Sequence, residues 1–154
     1  ARLLAYVWPE TPARAERLGR AIAMQRARSV DLVRADAADW IEARLAEPQA
    51  AGVTRVLMHS VVWQYLPEEV ANRIRAAMAA AGARATAERP LGWVMMEPNR
   101  AFAQQIVRVK SGPGQTEWHV LATAHAHGTW VRNGILDEDR VGYDLPASAK
   151  VEAG

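Results

Sequence analysis

The chain has 154 residues, of which half are apolar and 23% are charged, and its formal net charge is +2 at pH 7. This composition is typical of one globular domain. The arginines are scattered along the sequence and give no support for nucleic-acid binding. The sequence has no cysteine, which excludes disulfides, thiolate zinc sites and a cysteine nucleophile. No apolar run reaches the ~20 residues of a membrane span, so we expect a cytoplasmic protein without membrane contacts.

The first third of the chain predicts helices around one short strand. Residues 1–8 are apolar and precede a proline. They fit a short helix or a buried strand, and we prefer the helix. A threonine–proline pair, a typical helix start, then predicts a helix over residues 12–28. Residues 30–33 (VDLV) predict a short strand. Asp36 is the N-cap of a further helix, which ends before the proline at position 48.

The middle of the chain alternates strands and helices. Residues 53–58 predict a mostly apolar strand. Residues 67–82 predict a helix, because a proline and two glutamates open it, an apolar stripe follows and a glycine ends it. Residues 91–96 predict the next strand. This alternation is typical of parallel βαβ units whose sheet carries helices on both faces.

The last third predicts an antiparallel hairpin. Residues 104–110 and 116–126 alternate between polar and apolar side chains, and the stretch SGPGQ between them supplies the reversal. The polar tail, residues 133–154, receives no predicted structure. The sequence therefore predicts one three-layer α/β/α domain of the Rossmann-like class over residues 1–132, with parallel strands followed by a C-terminal hairpin.

The order of these elements resembles the C-terminal half of a class I methyltransferase fold, which binds S-adenosylmethionine. The stretch LVRADAADWI resembles that superfamily's third strand and the acidic turn after it, which implies that Asp36 and the following Ala37 are cofactor-binding residues near the adenine. VTRVLMHSVVWQYLPEEV resembles the fourth strand with its active-site turn. PLGWVMMEPN resembles the fifth strand.

Four segments, LLAYVWPE, VLMHSVVWQYLP, ATAERPLGW and AHAHGTWV, are together similar to an uncharacterised bacterial family, domain of unknown function 2332. The similarity covers most of residues 2–131. The glycine-rich loop of the methyltransferase superfamily has no counterpart, because no GxG motif lies near a strand-to-helix junction. We therefore expect a C-terminal fragment of a longer protein, which would use S-adenosylmethionine, whereas this chain alone would bind no cofactor. The strand edge left open predicts a homo-oligomer.

His59 and Ser60 come at the carboxyl end of a predicted strand, where ligands bind in open α/β sheets. We predict that they are catalytic residues and that Trp63 and Tyr65 line a pocket for a flat ligand. The alternative is that Ser60 caps the next helix and that the tryptophans pack in the core. A serine–histidine nucleophile is not expected, because adjacent side chains on a strand point to opposite faces.

The stretch HVLATAHAHG places four side chains on one face of a strand: His119, Thr123, His125 and His127. His125 and His127 could bind one metal ion with His59 or Glu97 as a third ligand, but the ligand set is incomplete, so no metal site is predicted. Contact with a substrate or an anion is the preferred interpretation. The predicted substrate-binding residues are thus Trp63, Tyr65, Glu97, His125 and His127.

Three functions stay open from the sequence. The first is methyl transfer by the longer protein. The second is a non-catalytic protein on the same scaffold that binds a ligand or a partner. The third is a metal-dependent hydrolase-like site at His125 and His127. In each case the ligand is an unknown small molecule.

Overall fold

The computed structural model describes residues 3–8, 10, 12–28, 30–99, 104–114, 117–125 and 130–133. The regular elements in chain order are α1 (Pro12–Ala27), α2 (Ala37–Ala46), β1 (Arg55–Ser60), α3 (Glu68–Ala83), β2 (Leu91–Asn99), β3 (Gln104–Gly112), β4 (His119–His125) and β5 (Val131–Asn133), with 3-10 helices at Leu3–Tyr6 and Trp63–Tyr65. Within these described ranges, no helix combines the length and the apolar character that crossing a bilayer requires. The chain falls into two compact units, Ala1–Ala35 and Asp36–Gly154.

The first unit consists of the 3-10 helix at Leu3–Tyr6 and of α1, which confirms both helices predicted for this part of the chain. None of its described residues is buried. The strand predicted at residues 30–33 is wrong, because these residues form no regular structure and their apolar side chains are exposed. A strand gains stability from a paired neighbour, and none of the described strands pairs with this segment.

The second unit contains a five-stranded mixed sheet with the strand order β1-β2-β3-β4-β5. β1 and β2 are parallel and are connected by α3, whereas every later pair is antiparallel. The structure therefore confirms one predicted βαβ unit and the hairpin that follows it. The sequence pattern does not predict β5, which is only three residues long.

The core of the second unit lies between one face of the sheet and the helices α2 and α3. Its buried side chains are Ala38, Ile41, Ile74, Met78, Leu91, Trp93 and Met95. On the opposite face of β1, Val56 and Met58 are 51% and 69% exposed. Because both helices lie on the same face, the described part of this unit is a mixed α/β fold with two layers rather than the predicted three.

Ion pairs hold α2 against α3. Arg73 of α3 donates to Glu42 at 3.0 and 2.6 Å and to Asp39 at 2.6 Å. The hydrogen bonds to Glu42 and then Asp39 raise the pKa of the Arg73 guanidinium further above its ordinary value. Asp39 belongs to the first turn of α2, and Arg73 lies in the first half of α3. The starts of the two helices are therefore neighbours.

A β-bulge in β4 changes the faces on which its side chains lie. The β3–β4 register shifts so that Leu121 has no partner on β3. One extra residue inverts the alternation of a strand, and His119 therefore lies on the face opposite to that of Thr123 and His125. The prediction of a shared face holds for Thr123 and His125 and is wrong for His119. His127 lies outside the described residues.

Candidate functional site

The candidate site is the carboxyl edge of the parallel pair β1–β2. β1 ends at Ser60, which lies opposite Met96 of β2, and the chain then passes through the 3-10 helix Trp63–Tyr65 into α3. The N–H of Val61 donates to the carbonyl of Met96 at 3.0 Å and so joins the turn to β2. Ligands of open α/β sheets bind at edges of this kind.

His59 and Glu97 form a buried pair at this edge. Nδ1 of His59 lies 2.7 Å from Oε1 of Glu97, and each side chain is only 10% exposed. The indole Nε1 of Trp93 donates to Nε2 of His59 at 3.0 Å. Because an indole N–H can only donate, Nε2 is an acceptor, and the ring proton lies on Nδ1 and is donated to Glu97. Both ring nitrogens are thus engaged inside the protein.

The carboxylate of Glu97 also holds the turn after β1. Oε1 accepts the backbone N–H groups of Val62 at 3.2 Å and of Trp63 at 3.3 Å, and Oε2 accepts the latter at 3.3 Å. These hydrogen bonds compensate for burying the charge of Glu97. The residue that precedes the 3-10 helix, Val62, provides no side-chain cap. Glu97 thus does the capping that one interpretation of the sequence assigned to Ser60.

Aromatic rings pack together beneath the turn. The rings of His59 and Trp63 stack with centroids 5.1 Å apart, and Trp93 lies 5.5 Å from Trp63 and 5.0 Å from Trp118. The guanidinium of Arg75 lies 5.2 Å from the centre of the Trp63 ring. Trp63 is therefore engaged in packing and cation–π contacts within the protein.

Ser60 and Tyr65 are the predicted site residues of this turn that stay open to solvent. Ser60 is exposed to solvent, and Tyr65 is 75% exposed. A ligand that reaches this edge can contact them without breaking an internal hydrogen bond. His59 and Glu97, by contrast, position the turn that carries these two exposed residues.

Asp36 is the N-cap of α2, as predicted. Its Oδ1 accepts the backbone N–H groups of Ala38 at 2.9 Å and of Asp39 at 3.2 Å. Ala37 is the first residue of the helix. The described residues before Asp36 contain no strand. The acidic turn expected after a strand is therefore not found there.

The contacts of α2 show at which edge of the sheet Asp36 lies. At the end of α2, the carbonyl of Glu47 accepts a hydrogen bond at 3.1 Å from Arg55, the first residue of β1. Near its start, Asp39 contacts Arg73 of α3, the helix that follows the carboxyl end of β1. Asp36 therefore lies toward the carboxyl edge, which is also the edge of the Ser60 turn.

His125 lies at the same end of the sheet, because it is opposite Gln104, which in turn is opposite Asn99 at the end of β2. Its ring centroid is 5.9 Å from that of Trp130. In the part of the chain that the structure describes, no three histidine, aspartate or glutamate side chains form a group that could hold a metal ion. Metal binding by His125 and His127 stays a hypothesis that metal analysis of the purified protein would test.

Two clefts lie away from this site. One of about 250 Å³ is lined by residues at the amino ends of β1 and β2, among them Arg55, Arg89 and Leu91. The other, of about 280 Å³, runs between α2 and β1. Neither is lined by His59 or Glu97.

Val61 has a φ of +53°, in the left-handed region that β-branched residues rarely adopt. Such strain persists only where the surroundings impose it, and it is frequent at functional sites. We expect Val61→Gly to raise the free energy of unfolding by about 0.5–1 kcal/mol, because glycine adopts positive φ without strain. Val62→Gly, at an ordinary φ of −117°, should lower it by a similar amount, about 0.5–1 kcal/mol. Urea unfolding of both variants checks this, and a Val61→Gly variant destabilised as much as Val62→Gly would mean that the turn is not strained.

Comparison with known proteins identifies the family of the chain. Residues 1–133 match the family described as an uncharacterized protein conserved in bacteria (DUF2332). Neither the curated proteins nor the solved structures gave a match, and the resemblance to methyltransferases finds no support in these comparisons. The match covers well over half of the chain and agrees with the four segments recognised in the sequence. The chain therefore belongs to the DUF2332 family of bacterial proteins.

Proposed function

We propose that this chain forms the adenine side and the acceptor side of a domain that transfers a methyl group from S-adenosylmethionine. The observation that supports this most strongly is that Asp36 and the Ser60 turn lie toward one edge of the sheet. The methyltransferase resemblance assigns the adenine contact to the first and the acceptor contact to the second. Two segments that are more than 20 positions apart in the sequence thus lie toward the same edge, which is where ligands of open α/β sheets bind.

The side chains at this edge are compatible with these roles. Both capping hydrogen bonds of Asp36 go to Oδ1, so Oδ2 is not used by the cap and would accept the amino group of adenine. The cofactor would supply an electrophilic methyl group. Ser60 and Tyr65 would contact the acceptor molecule, while His59 and Glu97 keep the turn in place. The remainder of the cofactor would be held by a glycine-rich segment of a longer protein.

A second candidate function is ligand binding without chemistry on the same scaffold. General acid–base catalysis needs a group that is free to take or give a proton. In the structure both nitrogens of His59 are engaged, and the carboxylate of Glu97 accepts several hydrogen bonds. This closed arrangement favours a binding role for the edge.

Calorimetric titration of S-adenosylhomocysteine into the longer protein, with the 154-residue chain beside it, tests the first proposal. We expect binding by the longer protein and binding at least about a hundredfold weaker by this chain, because the site would be incomplete. Absence of binding by the longer protein would contradict methyl transfer. Binding without methyl transfer to any fraction of small molecules from the cell would favour the second candidate.

Two substitutions at position 36 separate the ligand role of Asp36 from its capping role. Asp36→Ala removes both, and it should lower the free energy of unfolding by about 1 kcal/mol. Asp36→Ser keeps a capping oxygen, so the variant should be nearly as stable as the wild type. Each is expected to weaken binding of S-adenosylhomocysteine by about tenfold in the longer protein. Wild-type affinity of Asp36→Ser would show that Asp36 only caps α2.

A further inference from the structure

The cleft at the amino ends of β1 and β2 is lined by three arginines. Its volume is about 250 Å³, and its lining residues come from the end of α2, the end of α3 and the starts of the two strands. Arg55 is the first residue of β1, Arg84 directly follows α3, and Arg89 lies in the loop between α3 and β2. Because β1 and β2 are parallel, this cleft lies at the edge of the sheet opposite to the Ser60 turn.

The hydrogen bonds that Arg55 and Arg89 make inside the protein use only part of their donors. Nη2 of Arg55 donates to the carbonyls of Glu47 and Pro48 at 3.1 and 3.3 Å. Nε of Arg89 donates to the carbonyl of Gln49 at 2.9 Å. Since a guanidinium has five N–H groups, each of these arginines holds the end of α2 and keeps donors for a ligand.

Arg84 is the least engaged of the three arginines. Its backbone N–H donates to the carbonyls of Ala81 and Gly82 at the end of α3. Within the described ranges, its guanidinium makes no hydrogen bond or ion pair, and the residue is exposed. Arg73, by contrast, binds two carboxylates. The Arg84 guanidinium therefore lines the cleft with no described task inside the protein.

The charge around the cleft favours a ligand with two negative charges. Glu47, the acidic residue among the described residues that line it, is already paired with Arg44, whose Nη1 donates to both carboxylate oxygens at 3.0 Å. Glu88 lies 3.7 Å from Arg89 but is 75% exposed, so this pair is weak. The C-terminal ends of α2 and α3 carry roughly half a negative charge each. Three arginines and two helix ends thus leave a charge of about +2.

We propose that this cleft binds a phosphate monoester whose phosphoryl group is held by Arg55, Arg84 and Arg89. A phosphate monoester is nearly doubly charged at pH 7, whereas a carboxylate would neutralise only half of the charge. Its three terminal oxygens can accept from several guanidinium groups, which bind phosphate through paired N–H donors. This site is separate from the edge that the proposed methyl transfer uses.

The remaining lining of the cleft describes the organic part of the ester. Most of it is apolar, and it consists of Leu45, Ala46, Ala81, Ala85 and Leu91. The cleft is also smaller than the pockets of about 300–1,000 Å³ that hold drug-sized ligands. We therefore expect an ester with a small apolar group rather than a nucleotide.

Titration of the nitrogen-15-labelled chain with phenyl phosphate, followed by the NMR shifts of the backbone amides, tests the proposal. We expect a dissociation constant below about 1 mM, with the largest shifts at residues 47–55 and 84–91. Benzoate carries a similar ring with a single negative charge and should bind at least about tenfold more weakly. Inorganic phosphate lacks the ring and should bind more weakly than the ester.

Two arginine variants separate the cleft from general attraction of anions. Arg84→Gln should raise the dissociation constant of phenyl phosphate at least about tenfold. Its melting temperature should stay unchanged, because no described partner is lost. Arg26→Gln is the matched control, since it removes the same charge from an exposed position in the last turn of α1. We expect this control to bind phenyl phosphate as the wild type does.

Each result decides the proposal. Absence of saturable binding of phenyl phosphate up to about 10 mM would overturn it, as would shifts centred on the Ser60 turn. Equal affinities of Arg84→Gln and Arg26→Gln would show that the cleft does not hold the phosphoryl group. Benzoate that binds as tightly as phenyl phosphate would overturn the choice of a doubly charged ligand. Titration with S-adenosylhomocysteine decides the methyltransferase proposal independently of these results.

Discussion

Replacing Glu97 with alanine is expected to lower the free energy of unfolding by about 3 kcal/mol. The carboxylate accepts the ring N–H of His59 and the backbone N–H groups of Val62 and Trp63. Without the carboxylate, these N–H donors remain largely buried and have no acceptor. Each unsatisfied donor costs about 1–3 kcal/mol unless water reaches it. Urea unfolding followed by tryptophan fluorescence measures the loss.

Two further variants show whether the loss of stability comes from the buried carboxylate of Glu97 or from the loss of any carboxylate. Glu97→Gln keeps one acceptor oxygen and loses the charge, so we expect about half of the destabilisation. Glu88→Ala removes a side chain that is 75% exposed and that pairs with Arg89 only at 3.7 Å, and it should change the stability by less than about 0.5 kcal/mol. Equal stabilities of Glu97→Ala and Glu88→Ala would show that Glu97 does not hold the turn.

Replacing Gly112 with alanine is expected to lower the free energy of unfolding by about 2 kcal/mol. Gly112 ends β3 against the end of α3. A Cβ atom there would lie 3.0 Å from the Cβ of Ala85 and 3.0 Å from the carbonyl oxygen of Gly82. Neither neighbour is the end of a flexible side chain, so the hairpin or the helix must shift. The same urea experiment measures the effect.

Gly82→Ala is the matched control for Gly112. A Cβ at Gly82 would meet nothing within 4 Å, and the residue lies inside α3. Alanine there should leave the stability unchanged or raise it by up to about 1 kcal/mol, because alanine favours the helix. If the two glycine variants lost the same stability, close packing of the hairpin on α3 would not be the cause.

The sequence predicts those elements whose signals are local. Asp36 is recognised as a cap because its partners lie two and three residues ahead. α3 is predicted because its apolar stripe and its opening glutamates belong to one short segment. β1, β2 and the hairpin are predicted because their strands are short apolar or alternating runs bounded by turn residues. The carboxyl edge is predicted as the place of a candidate site from the parallel order of β1 and β2 alone.

The features that the sequence does not predict depend on residues far apart or on register. Glu97 caps a turn 34 to 38 residues before it, and only the parallel register of β1 and β2 brings it there. The bulge at Leu121 moves His119 to the other face, and the sequence marks it only by an apolar residue where the alternation would place a polar one. Residues 30–33 have the composition of a strand but no described strand beside them.

The hydrogen bonds at both nitrogens of His59 fix the turn, and nitrogen-15 NMR of the imidazole ring tests them most directly. The proton positions of a histidine follow from its partners, and here Trp93 donates to Nε2 while Glu97 accepts from Nδ1. We expect a ring that is protonated at Nδ1 and unprotonated at Nε2. A ring with its proton on Nε2, or with protons on both nitrogens, would contradict the closed arrangement of His59, Glu97 and Trp93.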